Sequence, residues 1–425
     1  MTHQLQNLRN QAAKLRRLSQ PYFFPYTEDN GWQFLGLLVS LLFCVAGIVL
    51  FLVTGLMNGL SWLFPELSGQ YLGGVQSSLA MLWSRGWGAG ISALFVLGAV
   101  VFASVRGQLR HRRWLPWLFL GLIILMLLSV NGINAGITFI ARDLTNALIS
   151  KDGDASYRNL WIYGACFAVA LPIRSLQFYF TQKLGLFWRE WLSLSLVDDY
   201  LRDRAYYVLN PNDEAATNVD NPDQRISEDV RDFTAQALGF ALNIFDSILT
   251  FSLNILILYS VSEGLTFALL AYASGVSVLM IVAGRKLVRL NNFQLRFEAD
   301  YRYGLVRVRD NAESIAFYAG EQQEAKEVTR RLATVVENFN LLIVWEVLLR
   351  VLQRSSIYAS NFIPYLILAA PILAGEMDYG GFAQANVAYN LVEGSLFFII
   401  YNIEALARFS ASINRLEGFQ SNISN

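Results

Sequence analysis

The chain has 425 residues, of which 54% are hydrophobic, 14% aromatic and only 16% charged. Soluble domains carry about 25% charged residues, and a disordered chain is poor in aromatics, so composition excludes both and leaves a polytopic membrane protein. Lys and Arg (33) balance Asp and Glu (33), which leaves no basic footprint for nucleic acid. With two cysteines, Cys44 and Cys166, in apolar runs and two histidines, His3 and His111, a disulfide scaffold, a thiolate metal cluster and a histidine-rich metal site are excluded as well.

In chain order, eight segments have the ~20 mostly apolar residues that a membrane-crossing helix needs. They are about Gly31–Met57, Gly86–Val105, Trp114–Ile140, Leu160–Phe187, Ala237–Val261, Leu265–Ala283, Leu348–Leu373 and Phe382–Leu406. Basic residues orient them by the positive-inside rule. Arg9, Lys14, Arg16 and Arg17 precede the first; Arg106, Arg110, Arg112 and Arg113 follow the second. Arg285, Lys286 and Arg289 follow the sixth; Arg408 and Arg415 follow the eighth. The intervening turns Ser262–Gly264 and Gly375–Asp378 are short and lack bases. Both termini are therefore expected in the cytoplasm, and no apolar core with a small-residue cleavage site marks a signal peptide.

The pattern changes near Arg112. Residues 1–112 read as an N-terminal cytoplasmic segment with a two-helix transmembrane extension. Residues 113–420 read as a six-span core with two long cytoplasmic excursions, about Trp188–Gln236 and Arg285–Glu346. In the second excursion Phe297, Tyr301, Gly304, Leu305 and Val308 recur at helical spacing. Ile140–Leu148 contains no breaker, so core helices are expected to outrun the bilayer. Leu209–Asp213 interrupts the first excursion, and Asn221–Pro222 restarts it with proline at the first helical position and acids in the first turn.

Charges within spans are costly and face a cavity or one another. Arg174, Asp246, Glu393 and Glu404 are the candidates; they suit either a polar translocation cavity or interhelical pairing and snorkelling. Arg350 and Arg354, near the inner leaflet, suit snorkelling. Gly132–Gly136 matches the small-xxx-small pattern of close helix packing, and the glycine run Gly86–Gly90 also reads as packing. Trp32, Trp83, Trp87, Trp114 and Trp117 lie near span ends, as interfacial anchors do. Glu298 and Arg302 have the spacing of a surface ion pair. A phosphate-binding Walker A loop needs Gly-Lys-Ser/Thr, and none of Lys14, Lys151, Lys183, Lys286 and Lys326 follows a glycine. ATP hydrolysis by these residues is therefore not expected, and no catalytic residue is assigned.

Two cytoplasmic segments carry more specific information: Asn-Pro-Asp-Gln-Arg-Ile at 221–226 and Asn-Ala-Glu-Ser-Ile-Ala-Phe-Tyr at 311–318. In order and loop placement they resemble the signatures of the ABC transporter transmembrane region of the ABCD and bacterial BacA-like (ABC membrane 2) family. Ile413–Phe419 resembles the run with which that region hands over to its ATPase domain. The resemblance covers about residues 113–420. It implies an all-α polytopic membrane protein: an exporter-type (type IV) six-helix transmembrane domain with long cytoplasmic helix extensions, here with two extra N-terminal helices. It also implies a helix coupling to an ATPase at Asn311, Ala312, Glu313, Ile315, Phe317, Tyr318, Gly320 and Glu321. The first cytoplasmic tip would comprise Asn210, Pro211, Asn221, Pro222, Asp223, Gln224 and Arg225.

On this resemblance the chain is the permease part of an ATP-driven transporter in a bacterial plasma (inner) membrane, working with a second copy of itself. Its cargo would be amphipathic or hydrophilic, such as peptides or cobalamin, or fatty acyl compounds, moved by alternating access through a central cavity. No cofactor or metal is expected in the chain. ATP and magnesium are expected on a missing or separate ATPase domain, with residues 421–425 beginning the linker to it. The alternative is a proton-driven peptide transporter of the SbmA/BacA type, in which Asp246 and Glu393 would carry protons.

Overall fold

The computed structural model describes residues 2–24, 31–63, 83–84, 87–105, 114–202, 205–208 and 221–423. Among the described residues every regular element is helical. Helices α1 (Thr2–Phe23), α2 (Gly31–Leu63) and α3 (Trp87–Val105) come first. They are followed by α4 (Trp114–Ile149), α5 (Gly153–Leu201) and the single turn α6 (Ala205–Val208). A short α7 (Pro222–Gln224) runs through a π-helical turn, Arg225–Asp229, into α8 (Val230–Val261). Then come α9 (Glu263–Asp310), α10 (Ala312–Phe317), α11 (Glu321–Leu373), α12 (Tyr379–Tyr401) and α13 (Ile403–Ile423).

Among the described residues six helical stretches are long and apolar enough to cross a membrane: Trp32–Gly55, Trp114–Ile149, Gly153–Leu201, Pro222–Val261, Glu263–Asp310 and Glu321–Leu373. The predicted second span corresponds to α3, a 19-residue apolar helix. One of the eight predicted spans differs. The predicted eighth span breaks at Asn402, whose carbonyl accepts from Leu406 N–H at 2.9 Å to begin α13. Gln384, Asn386, Asn390 and Glu393 also dilute the apolar character of α12. The expected overrun of the bilayer is present. At 1.5 Å per residue, the 53-residue α11 is about 80 Å long, against a hydrocarbon core of about 30 Å.

Local chemistry sets the helix ends. The Asp152 carboxylate accepts from Ala155 N–H at 3.0 Å and caps α5. Ser262 does the same for α9 through Leu265 N–H at 3.2 Å, so a single residue separates α8 from α9. Gly375, at φ 76°, ends the turn after α11 in a conformation that favours glycine.

The chain packs as two units. The first comprises Met1–Asn254, Tyr379–Gln384 and Tyr401–Asn425. Its core is aromatic: Trp117 is buried, and its indole N–H donates to the Phe23 carbonyl at 2.9 Å. Trp117 is therefore a core residue rather than an interfacial anchor, whereas Trp32 and Trp114 are exposed. Tyr22 stacks on Trp188, which meets Phe233 edge-on. Helices α2 and α3 approach closely at Gly98, where a Cβ would lie 2.8 Å from the Ser40 carbonyl. Gly132 and Gly136 contrast with this: among the described residues a Cβ at either would meet nothing within 4 Å, so the predicted small-residue contact is not made there.

The second unit comprises Ile255–Asp378 and Ala385–Ile400. Here α9 and α11 run side by side. Tyr272 donates to the Ser356 carbonyl at 2.6 Å, and Asn338 Nδ2 donates to Leu290 O at 3.1 Å and Gln294 Oε1 at 2.8 Å. Ala273, Val276, Met280 and Phe397 form the apolar core between these polar rungs.

Candidate functional site

The segment resembling a coupling element sits where α9 turns into α11. Asn311 serves both neighbouring helices. Its backbone and side-chain N–H groups donate to Arg307 O at 3.1 and 2.9 Å, closing α9, while its carbonyl accepts from Ile315 N–H at 3.0 Å, opening α10. The turn after α10 places Ala319 at φ 52° and returns Gly320 N–H to Ile315 O at 2.9 Å. Gly320 O then accepts from Gln323 and Glu324 N–H, both at 3.1 Å, at the start of α11.

The two long helices are pinned beside this tip. Arg307 pairs with Glu324, and Arg331 Nη1 donates to Asp300 O at 2.8 Å. The Arg331 chain lies over Gly304, where a Cβ would come within 3.1 Å of its Cδ. Hydrogen bonds from Arg330 and Arg331 hold the Glu327 carboxyl down at about 2. Glu298 accepts from Gln294 Nε2 at 3.0 Å; among the described ion pairs none joins it to Arg302.

No residue of α10 is buried. Phe317 and Tyr318 are 82% and 79% exposed and meet edge-to-face at 5.2 Å. Asn311, Ala312, Glu313 and Glu321 are exposed too, while Ile315 and Gly320 are half-buried at the base. Glu313 and Glu321 lie in the first turns of their helices, where the helix dipole favours a carboxylate. The arrangement is a braced rod end that offers two aromatic rings and acidic groups to an outside surface.

Of the first tip, Asn210 and Pro211 lie outside the described residues. Asn221 adopts a left-handed conformation, φ 51°, ahead of buried Pro222. Asp223 and Gln224 are exposed. Arg225 turns inward and pairs with Asp229 at 2.7 Å.

Among the charges in spans, Arg174 and Asp246 come together at 3.5 Å. Asn131, unremarked in the sequence, completes the group. Its Nδ2 donates to Asp246 Oδ1 at 2.6 Å, and its Oδ1 accepts from Thr250 at 2.6 Å. Arg174 also donates to Gln177 at 3.1 Å. The pairing of Arg174 with Asp246 is thus interhelical, between α5 and α8, with α4 supplying Asn131. In the second unit the Ser360 and Tyr389 hydroxyls share a hydrogen bond at 2.9 Å, and Glu393, on the same helix as Tyr389, is half-buried. The Glu404 side chain lies outside the described residues. Arg350 and Arg354 are exposed on α11. The available signal for Asn131 is a short polar cluster, Ser129, Asn131 and Asn134, in an otherwise apolar span.

Residues 108–373 match the ABC transporter transmembrane region 2 family. The chain is 43% identical over 408 residues to an uncharacterized ABC transporter ATP-binding protein of Synechocystis, covering 95% of this chain and 61% of that protein. It is 32% identical over 306 residues to the chloroplastic ABC transporter D family member 2 of Arabidopsis thaliana, covering 72% of this chain and 43% of the relative. It is 28% identical over 260 residues to the human lysosomal cobalamin transporter ABCD4, covering 59% and 41%. The chain thus spans less than two thirds of the length of each of these relatives. With its all-helical membrane fold and a match over residues 108–373, the chain belongs to the ABC transporter transmembrane region 2 family.

Proposed function

We propose that the chain is the permease part of an ATP-driven transporter, working as a pair of copies that enclose one cavity. ATP hydrolysis would take place on an ATP-binding domain, either in the same longer protein or on a separate subunit. The observation that carries this reading is the α10 tip: exposed Phe317, Tyr318 and Glu313 on a turn braced by Arg307–Glu324. A rigid helical pair ending in unburied aromatics suits transfer of force from a docking partner, since aromatic residues dominate interface hot spots. The names of the relatives support an ATP-binding partner.

The membrane is proposed to be a bacterial plasma membrane, with both termini cytoplasmic. For cargo, amphipathic or hydrophilic compounds such as peptides or cobalamin come first; cobalamin is what the human relative is named for. Fatty acyl compounds come second and rest on the sequence resemblance alone. The Arg174–Asp246–Asn131 group is a candidate lining for the pathway. A proton-driven mechanism would need a free carboxyl in the spans, and the engagement of Asp246 with Arg174 and Asn131 weighs against that residue as carrier.

The test is uptake of cobalamin or a labelled peptide into proteoliposomes that hold the chain with an ATP-binding domain. Uptake that requires ATP and survives dissipation of the proton gradient is expected. Uptake that needs no ATP and stops with the gradient would overturn the reading.

A further inference from the structure

The last helix, α13, is gripped at three neighbouring positions. Its apolar stripe, Phe409, Ile413, Leu416 and Phe419, is buried at helical spacing and seats it in the first unit. Polar contacts then fix it from two sides. On one side Arg415 meets Asp229 in a bidentate pair, with Nη2 to Oδ1 at 2.8 Å and Nε to Oδ2 at 3.0 Å. The same carboxylate accepts from Arg225 Nη1 at 2.7 Å. On the other side Lys14 of α1 reaches Glu417 at 3.1 Å and Asn414 at 3.1 Å, and Arg17 lies 3.7 Å from Glu417.

The Asp229 side chain is only 7% exposed. A buried carboxylate persists only where its charge is met by geometry of this quality. Burial alone would raise its proton affinity; hydrogen bonds and charge from Arg415 and Arg225 outweigh that and keep it below the usual carboxylate range. Asp229 also closes a π-helical turn, in which Val230 N–H bonds back to Arg225 O. Such turns recur at functional sites, and this one begins at Arg225, the last residue of the expected first tip.

We propose that Asp229 is a positioning residue, a latch that holds α13 to the segment beginning at Asn221–Pro222, while Glu417 holds α13 to α1. The three elements then move as one body. The consequence that this body passes motion between the first tip and the C-terminal helix rests on the proposed ATP-driven function; the latch does not.

Hydrogen–deuterium exchange on the full chain in nanodiscs tests the latch without any ATP-binding domain, so its failure is distinguishable from failure of the transport reading. In Asp229→Asn and in Arg415→Gln, amides of residues 222–229 and of α13 should exchange about tenfold faster or more, with α9 and α11 unchanged. Asp229→Glu, which keeps the charge, should restore most of the protection. Glu417→Gln should loosen α1 and α13 and leave residues 222–229 as they are. Unchanged exchange in α13 for both Asp229→Asn and Arg415→Gln would overturn the latch. So would equal acceleration in every helix, which marks general destabilisation.

Discussion

Removing the Asp246 carboxylate tests whether the polar group between α4, α5 and α8 acts as one unit. In Asp246→Ala, Asn131 Nδ2 loses a 2.6 Å hydrogen bond. It keeps a second acceptor, Leu127 O, at 3.0 Å, so the amide is not orphaned. Arg174 loses its ion pair but is more than half exposed and keeps Gln177, so little is expected from that partner. Interhelical hydrogen bonds in membranes average about 0.6 kcal/mol and reach about 1.7 kcal/mol. The short bond to a charged acceptor belongs near the upper end, which gives a loss of about 1–2 kcal/mol for Asp246→Ala. A double-mutant cycle with Asn131→Ala, read by steric-trapping unfolding in bicelles, should return a coupling of about 0.6–1.7 kcal/mol. Additivity within about 0.3 kcal/mol would show that the two side chains do not share an interaction and would refute the network.

Two further predictions concern the scaffold. A Cβ at Gly380 would lie 2.5 Å from Asn146 Cγ, so Gly380→Ala should destabilise by about 1–3 kcal/mol. Gly132→Ala, with open space around it, should be neutral or up to about 1 kcal/mol stabilising through helix propensity; thermal unfolding of the two variants side by side checks the contrast. Asp229 has a lowered native proton affinity, so its contribution to stability is complete above its unfolded value of about 3.9 and disappears as pH falls through the lower native value. The stability gap between the parent protein and Asp229→Asn should therefore be flat from neutral pH to about pH 5 and close in stronger acid. A gap that already closes between neutral pH and about pH 6 would contradict this assignment.

Hydropathy and length make much of the fold legible. Long apolar runs continue into charged helical sequence without breakers, and α4, α5, α9 and α11 follow that pattern. The α10 segment is marked by its resemblance to the family signature Asn-Ala-Glu-Ser-Ile-Ala-Phe-Tyr rather than by hydropathy. What periodicity does not carry is the partner of a polar residue. Asn131 with Asp246, and Asp229 with Arg415, are separated by 115 and 186 residues, and only packing brings them together. Trp117 reads as an anchor because it lies near a span end; its burial depends on Phe23 offering a carbonyl from α1. Gly132 and Gly136 show the converse, a packing pattern with no neighbour among the described residues.

The proposal that α10 passes force from an ATP-binding domain is tested most directly by Glu313→Ala and Phe317→Ala in proteoliposomes that contain that domain. Both side chains are exposed, so chain stability should shift by no more than about 0.5 kcal/mol. If Phe317 anchors the contact, its truncation removes about 2 kcal/mol, or roughly 30-fold in docking affinity. Binding of cobalamin or a labelled peptide should persist in both variants while ATP-dependent uptake falls. ATP-dependent uptake at the parent rate in both would contradict the coupling role of α10.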